Sequence, residues 1–121
     1  WVGGEIWFNC GDLNKIKTLR TVDNINDFIS PSKFFVFIDE REDSINDRTF
    51  IVDTINENLV DFPASYHNNS ANVSFADGHV KNKKWEDNRT RPPISNKSLI
   101  LNQEQPQNKD IKWLQNHSAV K

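Results

Sequence analysis

Asn72-Val73-Ser74-Phe75-Ala76-Asp77-Gly78-His79-Val80-Lys81 is the stretch on which the fold turns. Asp-Gly between two strand-like runs is among the strongest short-range hairpin signals, because a two-residue type I′ turn needs positive φ at both central positions. The second arm runs on through Asn82, Lys83 and Lys84 to Trp85. Upstream, Lys33-Phe34-Phe35-Val36-Phe37-Ile38-Asp39-Glu40 is the clearest single strand. Its apolar residues run continuously rather than alternating, which predicts cover on both faces. Arg41 to Arg48 reads as a polar connection, and Thr49 to Thr54 as a second strand antiparallel to the first. Asp61 to Tyr66 then leads into the hairpin.

Further out the pattern weakens. Trp1 to Gly4 reads as a turn and Glu5 to Phe8 as a short apolar piece; Leu13, Ile16 and Leu19 have helical spacing behind Asp12. Ser30-Pro31-Ser32 breaks what precedes it. After Trp85 come the extended Arg91-Pro92-Pro93, the apolar island Leu99 to Leu101, and a linker-like stretch from Gln103 to Gln107. Asp110 to Gln115 predicts one or two helical turns, capped by Asn108 or Asp110, with Ile111 and Leu114 docking on the sheet.

The chain has 121 residues, 36% hydrophobic and 26% charged, with eight Phe and four Trp. That suits one domain with one modest core. We divide it into a loop-rich lead-in (1–29), a β core (30–85) and a C-terminal extension (86–121). Fifteen basic against 17 acidic residues give −2, and the absence of a basic block argues against nucleic acid as a partner. A single cysteine, Cys10, excludes an intrachain disulfide and a multi-cysteine zinc site. No apolar run reaches the ~18–20 residues that span a bilayer. The chain opens at Trp1 and has no Met, so we expect a piece of a longer polypeptide. Sixteen Asn point to many turns and caps, since Asn side chains compete with regular backbone pairing.

Two clusters could carry chemistry. His67, Asp77 and His79 could supply two imidazoles and a carboxylate to a divalent ion, or to a metal-dependent hydrolase. Their spacing fits no metal motif, and Asp77 has a local task in the turn, so the structural reading is preferred. Asp39, Glu40, Glu42, Asp43 and Asp47 offer oxygen ligands for calcium within nine residues. Against that stands a solvated charged loop with Arg41 and Arg48 as counter-charges. No Gly-X-Ser-X-Gly elbow and no Gly-rich phosphate loop occurs.

His67, nine intervening residues and Asp77-Gly78 resemble the motif of the prepilin-type processing-associated H-X9-DG domain family. The likeness extends through Pro63-Ala64-Ser65-Tyr66-His67, Ala71 to Val80 and Trp85, to the strand after Ser30-Pro31-Ser32-Lys33, and to Asp110-Ile111-Lys112-Trp113-Leu114-Gln115. The resemblance implies a pseudopilin-like protein related to type II secretion and type IV pilus systems. Such proteins carry an N-terminal apolar helix and a small β-sheet head. It implies an inner-membrane anchor with a periplasmic or extracellular head, partners among other pilin or pseudopilin subunits reached through that helix, and membrane contact through the helix alone. Calcium is held by the heads of some major pseudopilins.

The expected fold is therefore α+β: a loop-rich head with a small antiparallel sheet, whose prepilin helix lies outside this chain. The expected role is a non-enzymatic structural subunit, with His67, Asp77 and Gly78 as architecture and no obligatory cofactor. Alternatives are a carbohydrate- or ligand-binding surface domain stacking sugars on Trp7, Trp85 or Trp113, and the hydrolase built on His67, Asp77 and His79.

Overall fold

The computed structural model describes residues 30–46 and 49–118. The expected turn at 1–4, the apolar piece at 5–8, the helix behind Asp12, Trp7, Cys10 and Asp47 lie outside the described residues. Within them, antiparallel strands and one helix make an α+β domain.

The hairpin is present. Strand β1 (Phe35–Ile38) pairs with β3 (Ser70–Phe75), and β3 pairs with β4 (Val80–Lys84), both antiparallel, in the order β1-β3-β4. Because side chains alternate along a strand, Ala71, Val73 and Phe75 all point to one side of central β3 and are buried. Their neighbours across the ladder share that side: Ile38 on β1, and Lys81 and Lys83 on β4. The opposite side carries Phe37, Ser74 and Val80 in one row across the sheet, and Phe37 and Val80 are 42% and 67% exposed.

The turn differs from the expected type I′. Only Gly78 has positive φ (91°), and Asp77 does not. Gly78 N–H donates to the Phe75 carbonyl, and Phe75 N–H to the His79 carbonyl, both at 2.9 Å. The loop is thus three residues, Ala76 to Gly78, with the glycine in the left-handed position that closes a bulged hairpin. Within it Asp77 accepts the His79 N–H at 3.1 Å and meets the His79 ring nitrogen.

Two other strand expectations are corrected. The strand read at 33–40 narrows to Phe35–Ile38, interrupted by a register shift between Phe35 and Phe37, and it is an edge strand with Phe37 half-exposed. Cover on both faces was the wrong inference from an unbroken apolar run. The stretch 49–54 forms no strand, although Phe50 and Val52 are buried. One backbone donor and one backbone acceptor of the stretch, the Ile51 N–H and the Asp53 carbonyl, bond to side chains instead. Ile51 N–H donates to Asp61, and the Asp53 carboxylate accepts the N–H groups of Ile55 and Asn56 and the side-chain amides of Asn56 and Asn58. Residues 62–64 pair instead with the segment just past the first strand: Arg41 N–H donates to the Phe62 carbonyl and Ala64 N–H to the Asp39 carbonyl. A two-residue ladder between β2 (Asn58–Leu59) and β5 (Gln103–Glu104) falls where a linker was read.

Helix α1 (Lys109–Ser118) completes the core, and the C-terminal extension is integral to it. Asn108 caps the helix, its side-chain oxygen accepting the N–H of Asp110 at 2.8 Å and, more weakly, that of Ile111. Ile111 and Leu114 join Ile38, Leu59, Phe62, Val73, Phe75 and Trp85 in one cluster. At the full burial of an aliphatic side chain, ~1.5–3 kcal/mol each, these two helix residues are the main apolar attachment. Arg41, wholly buried, ties the extension down from the other side. Its guanidinium donates twice to Asp43 and once to the Pro92 carbonyl, and Leu99 N–H donates to the Asp43 carbonyl.

Candidate functional site

The two halves of the His67/Asp77-Gly78 motif sit at opposite ends of β3. That strand alone spans roughly 17 Å at ~3.3 Å per residue, so His67 and Asp77 cannot share a proton or a metal ion. His67 is exposed, and its carbonyl accepts the N–H of Ser70 at 3.1 Å. Asn68 and Asn69, at φ 53° and 61°, turn the chain into β3 through the left-handed region that Asn tolerates. The Asn69 carbonyl then accepts the N–H of Trp85, closing the open end of the hairpin. Asp77-Gly78 closes the other end. The motif therefore frames one strand.

Asp77 and His79 do meet, on the surface. The His79 backbone N–H is the main reason the Asp77 carboxyl is held below its usual range, with its imidazole adding to the effect. The third member, His67, is not brought to them, so the metal and hydrolase readings of this trio have no assembled site.

The acidic stretch is likewise distributed among separate partners. Asp39 accepts the Asn72 N–H at 3.3 Å, Glu40 the Ser44 hydroxyl at 3.0 Å, and Glu42 the Tyr66 hydroxyl. Asp43 is engaged by Arg41, whose hydrogen bonds lower its pKa against the opposing effect of burial. Among the described residues no three His, Cys, Asp or Glu groups gather where a metal ion could be held. Four of the five proposed calcium ligands thus satisfy protein donors, and the fifth, Asp47, is outside the described residues.

The densest arrangement was not singled out in the sequence. Lys83, 12% exposed, lies over the rings of both Trp85 and Trp113, at 5.6 and 5.4 Å, and 3.7 Å from the buried Asp110 carboxylate. Asp110 also accepts the N–H groups of Glu86 and Asp87. Trp113 stacks on His117, His117 meets the edge of Phe75, and Phe75 stacks face to face on His79 at 4.2 Å. Two spacings signal the seam: Lys83 and Trp85 share a strand face at i, i+2, and Trp113 and His117 a helix face at i, i+4. What they make is a clasp between α1 and β4. Trp85, 1% exposed and donating its indole N–H to the Ala64 carbonyl at 2.8 Å, is core and cannot be a sugar platform. Trp113 is already engaged by His117, Trp85 and Lys83.

A second buried polar group holds the same region: the Asn108 amide donates to the Thr90 hydroxyl and the Gln105 side chain, and Gln105 donates to the Arg89 carbonyl. Each partner is matched, as buried polar groups require. No nucleophile–base pair is found in either cluster.

No family model, curated protein or solved structure matches the chain. Among the described residues no helix is long and apolar enough to cross a membrane.

Proposed function

We propose that this chain is the head of a non-enzymatic, pseudopilin-like structural subunit of a type II secretion or type IV pilus-like system. The observation that carries the reading is the pattern His67-X9-Asp77-Gly78 in its surrounding phrase, together with the use of both its halves as turns that bound the central strand. A motif employed this way is architectural, and the residues nearest it are committed to holding the hairpin. The row of Phe37, Ser74 and Val80 supports the same reading. It leaves one sheet face available to the apolar stripe of a preceding prepilin-type helix, through which other pilin or pseudopilin subunits are the partners. The head itself has no role in membrane insertion, and neither nucleic acid nor an obligatory cofactor enters its function.

The test is to compare the head with a longer chain that adds the C-terminal, amphipathic half of the preceding segment but not its membrane-spanning part. Burying ~200 Å² of apolar surface is worth roughly 5 kcal/mol before entropy is subtracted. The longer chain should therefore melt higher and self-associate less. Cysteine cross-linking from Val80→Cys to that segment should localise it on the open face. Equal melting temperatures and no cross-link would remove the packing model. A preceding segment lacking a Gly-Phe-Thr-Leu-X-Glu-like junction before a ~20-residue apolar helix would remove the class as well.

A further inference from the structure

We draw no further inference here: the strongest candidate, the solvent-facing side of the three-stranded sheet where Phe37 and Val80 flank Ser74, is the surface already used for the proposed function, and nothing in the structure shows what covers it.

Discussion

Replacing Gly78 with alanine isolates a single physical effect. Gly78 has φ of 91°, and a Cβ built on it meets no atom within 4 Å. Steric conflict with the rest of the protein therefore contributes nothing. The whole cost is the local clash of a side chain with its own backbone in left-handed conformation, ~1–2 kcal/mol. With a urea m-value of ~1.5 kcal/mol/M, the midpoint should fall by ~0.7–1.3 M while m is unchanged. Gly78→Asn is the informative companion, because asparagine visits this region far more readily. The chain itself uses that property: among the described residues, three of the other four positive-φ positions, Asn68, Asn69 and Asn102, are asparagine, the fourth being Gln107. Asn at position 78 should therefore recover half or more of the loss seen with alanine. Equilibrium urea unfolding followed by tryptophan fluorescence measures both variants. An alanine variant as stable as the parent, or an asparagine variant no better than alanine, would refute the left-handed glycine turn.

Trp85→Ala should cost ~3–5 kcal/mol, the usual loss for truncating a buried aromatic, whereas Trp85→Phe chiefly strands the Ala64 carbonyl and should cost ~1–3 kcal/mol; thermal melts rank the two. Millimolar calcium should leave the melting temperature where EDTA leaves it, because Asp39, Glu40, Glu42 and Asp43 already have separate partners, and a rise of several degrees would show that the loop reorganises around the ion. Acid should destabilise the fold: Asp43, Asp77 and Asp87 have pKa values lowered by hydrogen bonds from Arg41, the His79 N–H and Arg89 respectively. A depressed folded-state pKa contributes stability that is complete above the unfolded value near ~3.9 and is lost as pH falls through the folded one. Unfolding midpoints should hold steady down to about pH 5 and decline below about pH 4, and Asp43→Asn should flatten the decline.

The hairpin was legible because its evidence is local: a turn dipeptide between two strand-like runs lies within fifteen residues. The C-terminal helix was legible for the same reason, with Asn108 as a cap and Ile111 and Leu114 on one face. The stretch 49–54 misled because propensity reports how well β-branched and aromatic residues fit a sheet, not whether an edge is free to receive them. Residues 62–64 bridge to the segment just past the first strand instead, and the Ile51 N–H donates to the Asp61 carboxylate rather than to a neighbouring strand. The turn type was missed because Asp-Gly suits both a two-residue loop and the end of a three-residue one, and only register distinguishes them. Of the candidate sites, Asp77 and Gly78 lie in the hairpin turn, where the sequence places them. The union of His67 with Asp77 and His79 was never available once six residues of extended chain intervened. The clasp around Lys83 was hidden because its halves lie thirty positions apart.

A strand held between two fixed turns has a consequence for how its length can change. Asn69 anchors one end of β3 and Gly78 closes the other, so the count of residues between them sets which side chains face inward as well as how far the strand reaches. Adding one residue puts part of the Ala71, Val73, Phe75 series out of phase, sending buried groups to water or forcing a new bulge. Adding two, matched by two in β4, restores the phase and only lengthens the hairpin by ~6.6 Å. The spacing of the motif thus obeys a parity rule: even changes are extensions, and odd changes turn part of the sheet inside out.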